Sequence, residues 1–397
     1  MSSTLSFCCI VKNEEKFLLG MLESISNVAD EIIITDTGSV DNTLQIAKDF
    51  GAKVFEYEWN NSFADARNFC IQKATKDWVF SIDADERLIN PENIKKYLDV
   101  QNTTYFIKIF SVTDASKYNE KSGYHCNTRL FPNNNDFQYF CAIHEQLIGV
   151  DDERYNNILI KDFHLIHYGY DLSPEMMKLK HERNMTLIYS ELESDNIKVK
   201  YYFNFLLGRE YLAQSKFNEG IKYLNIAFND PYMKYPVNIH IITNLLKGYY
   251  MIEDWTNLEN IFKNYNKIAL INPDFCLYYG LYLDKICNKP NEAIFYYYKL
   301  LNFKEENNPY LIYDYASITW RPLYLIAVIY LNKNDFNRGI DYLNQALENN
   351  SYDTSIICNL IVGYLNNGKN ILAREIFEVY KNNFTKKEFL NLKNILK

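Results

Sequence analysis

Trp78-Val79-Phe80-Ser81-Ile82-Asp83-Ala84-Asp85 is the stretch on which the fold turns. A run long enough for a buried strand leads straight into two carboxylates spaced by one residue. Side chains alternate along an extended backbone, so Asp83 and Asp85 leave the strand end toward the same cleft. Two converging carboxylates hold a hard divalent cation, which keeps its remaining positions for water and phosphate oxygens. Acidic doublets are common at solvated loop ends, but this one is joined by Asp36, which closes the earlier strand Glu31 to Thr35. Ligands of open α/β sheets sit outside the carboxyl ends of the strands. Two acidic strand ends therefore point to a nucleotide site.

Outward from that stretch, strands and helices alternate. Leu5 to Val11 reads as a buried strand, and Glu15 to Ser26 as an amphipathic helix with Phe17, Leu18, Met21, Leu22 and Ile25 on one face. Asp41 or Asn42 caps a helix that runs to Phe50, with Gly51 placed to end it. Lys53 to Tyr57 is a third strand, Phe63 to Ala74 a helix, and Trp78 to Ile82 a fourth strand. This order predicts a doubly wound, Rossmann-like, mostly parallel sheet. Asn90-Pro91 starts a further short helix, and Thr103 to His167 is β-rich and irregular.

The pattern changes near residue 195. From Lys200 onward it is helical and it repeats: Phe217-Asn218-Glu219-Gly220-Ile221, Pro290-Asn291-Glu292-Ala293-Ile294 and Phe336-Asn337-Arg338-Gly339-Ile340 are copies of one helix start. Asp254-Trp255 and Lys369-Asn370 occupy the equivalent places of two divergent copies. The starts Phe217, Trp255, Pro290, Phe336 and Asn370 lie 38, 35, 46 and 34 residues apart. A period near 34 with a small residue early in the second helix resembles the tetratricopeptide repeat. Stacked helical hairpins of this kind leave a concave face for a peptide or another subunit. The 34 tyrosines read mainly as repeat core with a wet hydroxyl end.

Composition narrows the function. The 397 residues suggest two domains, or one domain and an array. A net charge of −8 argues against a nucleic-acid binder. The longest apolar stretch, Leu323 to Leu331, is far short of a membrane span, and Met1-Ser2-Ser3-Thr4 does not open a signal peptide. The eight cysteines include no C-x-x-C pair, which fits free thiols in a reducing cytoplasm.

Several ordered motifs resemble the family 2 glycosyltransferases of the GT-A fold. They are Cys9 to Glu15, Asp30 to Thr43, Glu58 to Asn68, Trp78 to Glu86, Arg129-Leu130-Phe131, Ile143-His144-Glu145 and His167-Tyr168-Gly169-Tyr170. A GT-A domain followed by tetratricopeptide-like helices is similar to the sublancin-type peptide S-glycosyltransferases, which modify cysteine in bacteriocin precursors. The resemblance implies a GT-A domain over residues 1–172, a linker helix over 173–197 and an all-α repeat array over 198–397. It also implies a UDP-sugar donor, Mg²⁺ or Mn²⁺, a peptide or protein acceptor (cysteine, or serine and threonine), and a homodimer through the repeats.

Sugar transfer from a nucleotide leaves a diphosphate with extra negative charge, which a divalent ion stabilises. Asp85 is the expected metal ligand, with Asp83 reaching the ion through water or holding the ribose. His167 is the expected third ligand, preferred over His164 because its flank matches the family. By the same resemblance Asp36 accepts the uracil N–H, while Val11, Asn13, Glu14 and Ala84 touch the nucleotide sugar. Arg67 suits phosphate or base, and Arg129 the leaving diphosphate. An inverting transfer needs a base for the acceptor proton. Glu145 is the candidate, with His144 orienting it or touching phosphate. Trp59 reads equally as core or as a wall for the sugar. Two other readings stay open: the same chemistry on a lipid-linked or polysaccharide core sugar, and a repeat scaffold whose first domain merely binds nucleotide.

Overall fold

The computed structural model describes residues 3–100, 102–112, 124–150, 153–168, 174–234, 237–304, 313–350 and 353–396. The chain divides into two compact units, Met1–Ile241 with Asn307–Ile312, and Ile242–Glu306 with Tyr313–Lys397.

The first unit opens with β1 (Leu5–Val11), α1 (Leu18–Ile25), β2 (Glu31–Asp36), α2 (Thr43–Asp49), β3 (Lys53–Glu56), α3 (Phe63–Gln72) and β4 (Trp78–Ser81). It continues through β5 (Glu86–Ile89), β6 (Thr103–Ser111), β7 (Tyr124–Pro132), β8 (Gln138–Phe140), β9 (Gln146–Ile148), β10 (Asn156–Leu159) and β11 (His164–His167). The main sheet runs β3-β2-β1-β4-β7-β6-β11-β5, with β10 also on β6, and β8 pairs with β9 apart from it. Strands β3, β2, β1 and β4 are parallel, as expected. Beyond them the sheet is mixed, because β7 is antiparallel to β4 and β6, and β5 is antiparallel to β11. Parallel neighbours need long crossovers, usually helical; among the described residues α-helices intervene only between the first four strands, although β10 and β11 also run parallel to β6.

Alternation along β1 feeds two cores. Leu5, Phe7, Cys9 and Val11 pack with Leu18, Met21, Leu22 and Ile25 of α1 on one face. Cys8 packs with Ala64, Cys70 and Ile71 of α3 on the other. The eight cysteines are free thiols, four buried and four partly so. Helix α1 starts at Leu18 rather than Glu15, because the Glu14 carbonyl takes the Phe17 and Leu18 amides in a turn. Asp41, not Asn42, receives the first amide of α2, from Thr43 at 3.0 Å. Asn90 does not cap with its side chain: it sits at φ +56°, and Pro91–Tyr97 winds as a 3₁₀ helix.

The unit closes with α4 (Pro174–Glu193), α5 (Lys200–Ala213) and α6 (Phe217–Phe228). A Cβ on Gly220 would meet Leu212 Cδ2 at 2.7 Å and the Gly208 carbonyl at 3.0 Å, so only glycine lets α5 and α6 pack this closely. The division between units falls inside α7 (Val237–Met251). The second unit contains α8 (Trp255–Asn264), α9 (Pro273–Lys285), α10 (Pro290–Leu301), α11 (Trp320–Asn332), α12 (Phe336–Asn349), α13 (Thr354–Asn366), α14 (Asn370–Tyr380) and α15 (Lys386–Ile395). The five helix starts read from the repeat are the first residues of α6, α8, α10, α12 and α14. The long interval before Phe336 holds an additional 3₁₀ turn, Tyr315–Ile318. Among the described residues no helix is long and apolar enough to cross a membrane.

Candidate active site

Register brings the acidic strand ends together. β1 lies between β2 and β4, with Val11 opposite Asp36 and Cys8 opposite Ser81. The loops that follow are laced to each other. The Val11 carbonyl accepts the Thr37 amide at 2.9 Å, and Asn13, in the left-handed region at φ +56°, accepts the Val40 amide on Oδ1 at 2.8 Å. The Glu14 amide donates to Thr43 Oγ1 at 2.7 Å. Asp36, expected to face a uracil, is only 4 % exposed, and its Oδ2 takes the Gly38 and Ser39 amides, each at 3.0 Å. A carboxylate offers about four lone-pair sites, so this turn does not exhaust it. Glu14 is pushed up to about 7 by burial and by the nearby Asp85, Asp83 and Asp41 carboxylates.

The centre of the site is a chain of alternating charges. Arg67, delivered by α3, donates from Nε to Glu145 Oε1 at 2.5 Å, from Nη2 to Asp83 Oδ1 at 2.7 Å and from Nη1 to Ser81 Oγ at 3.3 Å. Arg129, from β7, donates from Nη2 to Asp83 Oδ2 at 3.0 Å and to Glu86 Oε1 at 2.7 Å. Burial would raise the Asp83 pKa, but the two guanidinium groups hold it far below the usual carboxylate range. Glu86 is 1 % exposed, and burial pushes it up to about 7 against the pull of Arg129. Both arginines are buried and committed to carboxylates. In this geometry they organise Asp83, Glu86 and Glu145. A planar fork of donors suits that work where an ammonium would not.

Asp85 stands apart from this chain, with Oδ2 3.2 Å from His167 Nε2. The antiparallel pairing of β11 with β5 puts His167 opposite Glu86 and so beside Asp85. Burial opposes a proton on the imidazole, but the hydrogen bond and charge of Asp85 raise its pKa. Among the described residues no group of three His, Cys, Asp or Glu converges as a metal cluster. Of the expected set of Asp85, Asp83 and His167, Asp83 pairs here with Arg67 and Arg129. Asp85 and His167 remain a carboxylate–imidazole pair, 24 % and 21 % exposed at the side chain. That pair fits a divalent ion that fills its other positions with water and phosphate oxygens.

Glu145 and His144 leave a tight loop in which Cys141 (φ +71°) and His144 (φ +50°) are left-handed. Burial, then the Arg209 charge, lowers the His144 pKa. Trp59 packs edge-on against Phe63, with ring centroids 4.9 Å apart. Ala84 is buried at the strand end. Gly169 and Tyr170 lie outside the described residues. Glu86 and Ser81 escaped the sequence reading. The signal was available for Glu86, because a third carboxylate within four residues of Asp83 and Asp85 needs a buried counter-charge.

Residues 6–146, which contain every strand-end carboxylate above, match the Glycosyl transferase family 2 model. The first domain is a family 2 glycosyltransferase domain. The SPbeta prophage-derived glycosyltransferase SunS of Bacillus subtilis strain 168 is 33% identical over 254 residues, which are 62% of this chain and 58% of SunS. The chain thus spans under two thirds of that relative. A TPR repeat-containing protein of Synechococcus elongatus is 36% identical over 142 residues, 35% of this chain and 34% of its own. The crystal structure of S. aureus TarS aligns over 66% of this chain and 55% of its own, at 16% identity and a TM-score of 0.39. Helices α4 and α5 lie beyond the family 2 match.

Proposed function

We propose that this protein transfers a sugar, with inversion, from a UDP-sugar to a peptide or protein side chain, cysteine or serine and threonine, as in bacteriocin maturation. The observation that carries the reading is Arg67, which ties Asp83 of the strand end to Glu145 through one buried guanidinium. A donor site and a base are thereby held in a fixed relation within a family 2 glycosyltransferase domain. The peptide acceptor rests on the likeness to sublancin-type enzymes and on the helical array, for which residues 1–172, 173–197 and 198–397 are the proposed divisions. A homodimer through the repeats and a cytoplasmic location belong to the same reading.

Asp36 and the loop Val11 to Glu14 are assigned to base and ribose, with Ala84 and His144 lining the donor. Asp85 and His167 would hold a Mg²⁺ or Mn²⁺ ion that, when bound, stabilises charge on the diphosphate. Arg67 holds Oε1 of Glu145, which leaves Oε2 to take the acceptor proton. As the acceptor sulfur or oxygen bonds to the anomeric carbon, the bond to the diphosphate oxygen breaks and its electron pair leaves with UDP. A thiol, with a reference pKa of about 8.5, asks less of the base than a hydroxyl.

The test is nucleotide release from UDP-, GDP- and dTDP-sugars with Mn²⁺ or Mg²⁺, wild type beside Asp85→Ala. Metal-dependent release of UDP that Asp85→Ala loses is the expected result. Donors that neither bind nor react would turn the assignment to a nucleotide-binding repeat scaffold.

A further inference from the structure

The loop that presents Glu145 is held from both sides, and one side lies outside the family 2 match. Cys141 and His144 adopt left-handed backbone, which side chains with a Cβ rarely do unless the surroundings impose it. Between them, Ala142 is clamped twice. Its carbonyl accepts the Phe63 amide of α3 at 2.8 Å, and its amide donates to the Glu191 carboxylate of α4. Tyr202 of α5 is the second helical contact. Its hydroxyl donates to the His144 carbonyl at 3.4 Å and accepts from Gln146 Nε2 at 2.9 Å. Arg183 of α4 lies over the Phe63 ring, 5.1 Å from its centroid, beside the residue that holds Ala142. The backbone before Glu145 and the side chain of Gln146 after it are therefore held by α4 and α5, while Arg67 fixes the Glu145 carboxylate from the sheet side at 2.5 Å.

We infer that Glu191 and Tyr202 are positioning residues for Glu145, and that α4 and α5 form part of the transfer centre rather than a spacer to the repeats. The inference rests on the reading of Glu145 as the acceptor base. A base displaced by about 1 Å loses up to about a hundredfold in rate while the donor site is unaffected. The helical side chains thus set the turnover number and not the nucleotide affinity.

The experiment compares Tyr202→Phe, Glu191→Gln, Glu145→Gln and Tyr202→Phe/Glu145→Gln in the full chain. UDP release from the preferred UDP-sugar is followed with water as acceptor, UDP affinity by calorimetry, and amide exchange of residues 141–146 by mass spectrometry. Tyr202→Phe and Glu191→Gln are each expected to lower kcat about tenfold, leave UDP affinity within about twofold, and speed exchange at 141–146. In the Glu145→Gln background Tyr202→Phe should add no further loss, because the group it positions is gone. Wild-type exchange and wild-type kcat in both single variants would overturn the inference and leave the base reading standing. So would a parallel fall in UDP affinity, or a full additional loss in the double variant. A Glu145→Gln protein with undiminished kcat would instead remove the base reading, and the positioning role with it.

Discussion

Glu31→Gln tests the electrostatics on which the site's second strand is founded. Glu31 opens β2, the strand that ends at Asp36, and its side chain is only 2 % exposed. Its Oε1 accepts from Lys53 Nζ at 2.6 Å and Thr75 Oγ1 at 2.9 Å, and its Oε2 from Ser6 Oγ at 2.6 Å and the Thr75 amide at 2.8 Å. Burial alone would raise its pKa, but these donors outweigh burial and hold it at about 2 against an ordinary 4.5. That gap corresponds to about 3 kcal/mol of stability at neutral pH. Lys53 is 58 % exposed, so its share is screened, and about 2–3 kcal/mol remains. The sign follows from the depressed pKa. The contribution is complete above the ordinary value, declines as pH falls below it, and is gone below about 2.

The assay is urea unfolding from about pH 7 down to about pH 3, in a Trp255→Phe/Trp320→Phe background so that Trp59 and Trp78 report on the first unit. Glu31→Gln should be less stable than its parent by about 2–3 kcal/mol at neutral pH, with the gap roughly halved near pH 3. A gap that does not change with pH would refute the assignment of the stabilisation to the ionised carboxylate. A difference under about 0.5 kcal/mol at neutral pH would refute the burial and bonding argument altogether.

Three further outcomes are expected. Arg67→Lys keeps one positive charge but cannot bridge Glu145, Asp83 and Ser81, so it should destabilise the first unit by about 2–4 kcal/mol and slow UDP release; wild-type behaviour in both would remove the bridge. His167→Ala should weaken Mn²⁺ binding about tenfold or more in a titration, by loss of one of two protein ligands, and unchanged Mn²⁺ affinity would leave Asp85 without its proposed partner. Gly220→Ala gains about 1 kcal/mol of helix propensity but drives a methyl into Leu212 and the Gly208 carbonyl, so a net loss of about 1–2 kcal/mol is expected; a thermal scan showing stabilisation would mean that α5 and α6 separate freely.

What could be read from the chain alone was whatever is written in local spacing. A buried apolar run marked β1 at Leu5–Val11 to the residue, and the recurring helix-start pattern of Phe217–Ile221, Pro290–Ile294 and Phe336–Ile340 marked the first residues of α6, α10 and α12. Both depend on neighbours within a few positions, so no tertiary knowledge was needed. The acidic strand ends Asp36, Asp83 and Asp85 were legible for the same reason, and so was the family 2 domain they announce. The partners of those carboxylates were not legible. Arg67 meets Glu145 across 78 residues of sequence and Arg129 meets Asp83 across 46. Which carboxylate each guanidinium takes is set by sheet register and by burial, where an unpaired charge is costly. The pairing of Asp83 with both arginines therefore could not be read from its spacing. His167 joined Asp85 only because β11 runs antiparallel to β5, and the loop of Glu145 acquired its helical clamp only because α4 and α5 pack onto it. Spacing along the chain determined which charged groups stand at the strand ends; the competition among buried charges in three dimensions decided which of them pair.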